Sequence, residues 1–206
     1  NSTQSSFIIP AAGDPTLYYI FVTQTVYPEN IPGYELRYAI FDLKLGTNGQ
    51  IVDPDPTTPE VTSILFTKST ERLTGNEGWL IAHEYGNNNF RAYPITQQGI
   101  GSPVISSIGS DHSLAVAQHG EGYMKLSGAT LGVALSTPGV SNVVEIFDFD
   151  SGTGAITNFR QIDLEQPAGQ VYGIEIAGPK LFATTKNVEG QAPTTSFLHE
   201  FAYDSV

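Results

Sequence analysis

Along the chain, apolar and polar residues form short runs separated by turn formers, and almost nothing has the period of a helix. The stretches 17–23, 35–43, 79–85, 131–136, 143–149 and 180–185 are rich in β-branched and aromatic residues, and each is bounded by Gly, Pro, Asn or Asp. This predicts strands joined by turns, because such side chains fill a pleated surface while Gly and Asn accept the backbone angles that turns require. The stretch 53–59 (Asp-Pro-Asp-Pro-Thr-Thr-Pro) is excluded from a central strand, since Pro has no N–H for the ladder. It reads as a loop rather than a domain linker, because the same pattern resumes on both sides.

An internal repeat organises these strands. Four segments align by character: 38–43 (Tyr-Ala-Ile-Phe-Asp-Leu), 90–95 (Phe-Arg-Ala-Tyr-Pro-Ile), 144–149 (Val-Glu-Ile-Phe-Asp-Phe) and 198–203 (Leu-His-Glu-Phe-Ala-Tyr). Their central aromatics Phe41, Tyr93, Phe147 and Phe201 recur 52, 54 and 54 positions apart. A strand lies about ten residues before each, at 17–23, 79–85, 131–136 and 180–185. Ahead of the last three comes another short segment, at 71–74, 122–126 and 172–176; the first three aromatic segments are followed by a Gly-containing turn and further β sequence.

Four strands per unit at a period near 50 is the pattern of β-propeller blades. The fold expected is therefore all-β: a β-propeller, or a partial arc of one, of about four blades with four-stranded antiparallel sheets. Blades fall near 7–60, 61–108, 109–165 and 166–206, the first incomplete and the last ending soon after its third strand. One blade cannot cover both its faces, and closed rings usually hold four to eight. An arc of a larger propeller is favoured, with exposed blade faces at both ends. Helix is expected at most as a turn or two near 115–120, and Trp79 is expected largely buried between blades.

Composition narrows the function classes. The 206 residues are 40% hydrophobic and only 15% charged, against roughly 25% charged in typical soluble domains. With 21 Gly, 13 Pro and 11% aromatics, helical bundles, coiled coils and disorder are disfavoured. The net charge of −12 comes with basic residues scattered singly, which argues against nucleic acid and anionic membrane surfaces as partners. No cysteine is present, so there is no disulfide, thiolate metal site or Cys nucleophile. The longest apolar run, 17–22, is far short of a membrane span. A start at Asn1-Ser2-Thr3-Gln4 reads as a mature or excised piece.

The segment Ser2-Thr3-Gln4-Ser5-Ser6-Phe7-Ile8-Ile9-Pro10 followed by Leu17-Tyr18-Tyr19-Ile20-Phe21 resembles the propeller region of large Bacteroidetes secreted surface proteins. Trp79-Leu80-Ile81-Ala82-His83-Glu84, Phe90-Arg91-Ala92-Tyr93, Gly122-Tyr123-Met124-Lys125 and Ile146-Phe147-Asp148-Phe149-Asp150 extend the likeness over nearly the whole chain. Such proteins often carry PKD-like modules and a gliding-motility-associated C-terminal sorting domain for type IX secretion. The resemblance implies a secreted or cell-surface module whose propeller continues upstream. The sorting domain is not in this chain, and the family supplies no catalytic residues to carry over.

Candidate chemistry is sparse. Gly109-Ser110-Asp111-His112-Ser113 holds the residue types of a serine triad, but neighbours on an extended chain point to alternate faces, and no Gly-x-Ser-x-Gly elbow exists. Asp148-Phe149-Asp150-Ser151-Gly152 begins like a calcium loop yet lacks the third alternate oxygen ligand and the distal Glu; Asp148 and Asp150 are the metal candidates, with calcium the ion and no other cofactor expected. His83, His112, His119 and His199 lack chelating spacing, and His112 with His119 is the one pair that looks able to converge.

Trp79, His83, Glu84, Tyr85, Asn88 and Phe90 concentrate aromatic and polar residues around an Asn-rich turn, as a carbohydrate-binding face requires; the bland alternative is packing between blades. Two functions follow. One is a non-catalytic secreted or cell-surface module for adhesion, ligand binding or scaffolding, with a protein or carbohydrate partner and possible association through open blade edges. The other is a propeller hydrolase, lactonase-like or glycan-cleaving, with a channel site partly outside this chain. Glu71, Glu121 and Glu175 near the innermost strands share no common position, which favours the first.

Overall fold

The computed structural model describes residues 4, 6–24, 34–57, 61–112, 122–137, 141–164, 170–186 and 196–203. Among them are seventeen strands in four antiparallel sheets and no α-helix, so none is long and apolar enough to cross a membrane. The stretch 115–120, where a helical turn was expected, lies outside the described residues.

The first sheet runs β1 (Ser6–Pro10), β2 (Leu17–Thr23), β3 (Leu36–Asp42), β4 (Gln50–Val52), and β5 (Ser63–Phe66) pairs with the other half of β3. The second comprises β6 (Ser69–Asn76), β7 (Trp79–Glu84), β8 (Asn89–Thr96), the short β9 (Gly99–Ile100) and β10 (Val104–Ser107), in the order β6-β7-β8-β10 with β9 also on β8. The third is the meander β11 (Met124–Ser127), β12 (Thr130–Thr137), β13 (Ser141–Phe149), β14 (Ile156–Asp163). The fourth holds β15 (Gln170–Ala177), β16 (Lys180–Lys186) and β17 (Leu198–Ala202). The repeated aromatic segment is thus the third strand of every sheet: β3, β8, β13 and β17.

Strand number departs from the expectation of four per sheet with an incomplete first. Among the described residues the sheets have five, five, four and three strands, so the first is fuller than expected and the last holds three. In the first two sheets the outer edge of the third strand is shared by two short partners, β4 with β5 and β9 with β10. Because β5 belongs to the first sheet, the break between the first two sheets falls after Phe66 rather than near 60.

The sheets stack face to face in chain order. Ile9, Phe21 and Leu36 of the first meet Leu73, Leu80 and Tyr93 of the second. Ile81 and Phe90 of the second meet Val133, Phe147 and Phe149 of the third. Val144 and Ile146 of the third meet Ile174 and Leu181 of the fourth. With both faces covered, the third sheet is buried on both sides: every residue of 143–149 but Asp148 is buried, Glu145 included. Gly132 permits the last seam: a Cβ there would stand 3.2 Å from Ile174 Cδ1 and 3.3 Å from Ile176 Cδ1. Trp79 packs between the second and third sheets but is only half-buried, since it opens β7 at the rim of the seam.

Candidate functional site

The first strands of all four sheets line one cleft of about 200 Å³. Phe7 comes from β1, Thr74 from β6, Met124 to Leu126 from β11, and Ile174 with Glu175 from β15. Gln4, just ahead of β1, ties two of these strands, β6 and β11, together. Its Oε1 accepts the N–H of Leu73 (3.3 Å) and of Met124 (2.9 Å), and its Nε2 donates to Met124 O (3.0 Å). The Thr74 hydroxyl accepts the Leu126 N–H at 2.9 Å, and the Tyr123 N–H donates to Tyr172 O at 2.8 Å.

Lys125 pairs with Glu175 at 3.0 Å, and the Tyr123 ring stands edge-on to Tyr172 with centroids 5.8 Å apart. Both ionic groups are solvated, so the pair contributes at most about 1 kcal/mol and either end can turn to a ligand at small cost. An apolar floor, a tyrosine ring and one charge of each sign can hold a polar organic group by stacking and charge-assisted hydrogen bonds.

The six residues proposed for a binding face are distributed otherwise. His83 and Phe90 are fully buried, ring edge to ring face at 4.5 Å, inside the seam of the second and third sheets. Glu84 accepts from Asn87 Nδ2 (2.6 Å), Asn89 Nδ2 (3.3 Å) and Arg91 Nε (2.6 Å), which hold its carboxyl below the usual range against the opposing effect of burial. Tyr85 packs on Tyr34 at 4.7 Å, and Asn88 Nδ2 donates to Gly109 O at 3.4 Å. Trp79 lies at the opposite end of β7, its Nε1–H donating to Ser151 O at 2.9 Å. Adjacent in sequence, the six are not gathered on one exposed platform.

A polar cluster that the sequence reading missed crosses the same seam. Arg72, His83, His112 and Glu145 are each 0% exposed. Arg72 Nη2 donates to Ala134 O (2.8 Å), and its Nη1 lies 3.4 Å from His112 Nδ1. The His83 and His112 rings stack at 3.5 Å, and His119, the partner expected for His112, lies outside the described residues. His83 Nδ1–H donates to Glu84 O at 2.6 Å, while burial and the Arg72 charge pull its pKa down to about 3, so the ring is neutral.

Glu145 Oε1 accepts the Ser110 N–H at 3.0 Å, and burial pushes this carboxyl upward against Ser110 and Arg72. Gly109 is required here: at φ +82°, a Cβ would stand 2.9 Å from Glu145 Oε2 and 2.7 Å from Phe147 Cζ. The triad-like segment therefore caps a buried carboxylate. With all four side chains sealed from solvent, the cluster cross-links two sheets and offers a substrate no access. The legible signal was a charge inside an apolar strand, at Glu145, which demands a buried partner; Arg72 stands in the polar strand β6 and gave no such signal.

Asp148 and Asp150 serve their own hairpin. Asp148 accepts from Arg160 Nη2 (2.7 Å) and Asn158 Nδ2 (2.6 Å); Asp150 accepts from Gly152 N (2.8 Å) and Thr153 Oγ1 (2.7 Å). The turn's hydroxyl and amide donors hold the Asp150 carboxyl low. Among the described residues no three His, Asp or Glu side chains form a group that could hold a metal ion. Of the channel carboxylates, Glu71 is buried, Glu175 borders the cleft, and Glu121 lies outside the described residues.

No family model matches this chain, and no curated protein sequence does. Among the solved structures that match is the glutaminyl cyclase of Myxococcus xanthus, at 11% identity and a TM-score of 0.44, covering 90% of this chain and 62% of that one. The chain spans less than two thirds of that enzyme's length. A likeness this remote assigns neither residues nor activity.

Proposed function

We propose that the chain is an arc of a β-propeller acting as a non-catalytic binding or scaffolding module of a secreted cell-surface protein. The observation that carries this reading is the convergence of four first strands on one cleft, the arrangement blades adopt around an axis. The resemblance of the 2–10 and 79–93 segments to Bacteroidetes surface proteins supports the location. The ligand is a protein or carbohydrate group of modest size, held on Tyr123 between Lys125 and Glu175. This reading assigns calcium no role; in its support, each carboxylate oxygen of Asp148 and Asp150 accepts a hydrogen bond within its own hairpin.

The test is a glycan array and a panel of surface-protein ligands, run on wild type, Tyr123→Ala and Lys125→Ala with and without EDTA. Binding that survives EDTA and falls at least tenfold in both variants, with unchanged melting temperatures, supports the reading. Binding indifferent to both substitutions, or turnover of lactones or glycosides by the same protein, overturns it.

A further inference from the structure

The cleft among the first strands carries opposite charges and unspent hydrogen-bond donors, and together they narrow its ligand. Lys125 Nζ of β11 and Glu175 Oε2 of β15 lie 3.0 Å apart on its wall. The carboxylate is fixed from its other side, where Oε1 accepts the Ile176 N–H at 3.1 Å. Among the described residues the Lys125 ammonium has no other hydrogen-bond partner, so its remaining N–H groups are unspent. Thr74 lines the same cleft at 3% exposure. Its hydroxyl accepts the Leu126 N–H at 2.9 Å, and among the described residues its own hydrogen has no acceptor. Gln4 Nε2 spends one hydrogen on Met124 O, and the other has no acceptor among the described residues. An ammonium, a hydroxyl and an amide N–H in one cleft form a donor set suited to a carboxylate.

Glu175, on the neighbouring sheet, asks for a cation in the same ligand. A simple anion would draw Lys125 away and leave that carboxylate unpaired beside it, on a chain whose net charge of −12 repels anions. A simple cation would leave Lys125, Thr74 and Gln4 without an acceptor. A neutral sugar would part the two ions and replace neither charge. A zwitterion exchanges one internal ion pair for two. Between its charges it needs an apolar stem, because Phe7 and Ile174 line the cleft and the Tyr123 ring, two residues from Lys125, is 37% exposed. A space of about 200 Å³ suits a single residue, whereas pockets for drug-sized ligands run from roughly 300 to 1,000 Å³.

We propose that the cleft captures the C-terminal lysine or arginine of a partner protein. Lys125, Thr74 and Gln4 hold its α-carboxylate, Glu175 holds its side-chain cation, and the aliphatic stem lies along Tyr123. Capture of a terminal carboxylate is an established mode of peptide recognition, and the −12 charge draws a basic tail toward the site. The inference rests on the reading of this cleft as the binding site and names the group bound there. The walls of the cleft come from strands inside all four sheets, so neither end face of the stack enters into it.

NMR titration of the 206-residue chain with 6-aminohexanoate, hexanoate and hexylamine tests it. The zwitterion is expected to bind with a Kd on the order of 1 mM, as suits so small a ligand, and each single-charge probe at least tenfold more weakly. An acetylated peptide ending in Lys should bind at least tenfold more tightly than the same peptide as its C-terminal amide. Lys125→Met and Glu175→Gln, at side chains 39% and 56% exposed, should each weaken the zwitterion at least tenfold with melting unchanged. Glu175→Gln should leave hexanoate binding unaffected. Equal binding of the acid and amide peptides, of the zwitterion and a single-charge probe, or a zwitterion indifferent to both variants would overturn the proposal. Should none of these probes bind while a glycan or protein ligand is lost in Tyr123→Ala and Lys125→Ala, the proposal falls and the cleft stands as the site. Should no ligand respond to those two variants, both fall.

Discussion

Replacing Trp79 by Ala tests whether the seam between the second and third sheets is a packed interface out to its rim. The indole stands edge-on to Phe149 at 5.8 Å, donates to Ser151 O at 2.9 Å, and lies so close over Gly154 that a Cβ on that glycine would meet it. Full truncation of a buried Trp costs about 3–5 kcal/mol. Half-burial reduces the apolar part to about 2 kcal/mol, and the hydrogen bond with the aromatic contact adds about 1 kcal/mol. The expected loss is therefore about 3 kcal/mol, smaller than for a fully buried indole. Urea unfolding followed by circular dichroism measures it. Because Trp79 is the single Trp of the chain, wild-type emission gives a second probe of the same seam. A double-mutant cycle with Phe149→Leu should return a coupling of about 0.5–1.5 kcal/mol. A loss under about 1 kcal/mol for Trp79→Ala, or strict additivity with Phe149→Leu, would show that the seam is not packed there and would refute the reasoning.

Gln4→Ala removes three hydrogen bonds spanning β6 and β11 and should lower stability by about 2–3 kcal/mol in the same assay, whereas Gln4→Glu, which keeps only the acceptors, should recover part of it. His83 is neutral in the fold with a pKa near 3 against an ordinary 6.5, so the unfolded chain binds more protons between those values; its contribution is complete above about pH 6.5 and is lost as pH falls toward 3. Urea midpoints at pH 7, 5 and 4 should fall faster with acid in wild type than in His83→Gln; parallel slopes would contradict the neutral buried ring. Gly154→Ala combines φ +79° with a clash against Trp79 and should cost about 2–3 kcal/mol, while Gly86→Ala, at φ +92° with open space around it, should cost only the backbone strain of about 1 kcal/mol.

Alternation of apolar and polar residues, punctuated by Gly, Pro, Asn and Asp, was enough to place β2 to the residue and β7, β12, β13 and β16 to within two, since side-chain direction along a strand is a local property. The recurrence of Phe41, Tyr93, Phe147 and Phe201 revealed the third strand of each sheet for the same reason. Strand number per sheet was not legible, because β5 and β9 pair with half of a neighbour's edge, and such pairing depends on where loops return. The cleft was equally hidden: Gln4, Thr74, Lys125 and Glu175 are distant in sequence, and only the stacking of sheets brings them together. The Asn-rich turn misled in the opposite way, since a strand sends adjacent residues to opposite faces, so Trp79, His83 and Phe90 went into a seam while Glu84 turned to Arg91. The sequence by itself determined which residues are strands and which sides of them are apolar. Tertiary structure decided which of those sides meet one another, because burial is settled by what stacks above a face.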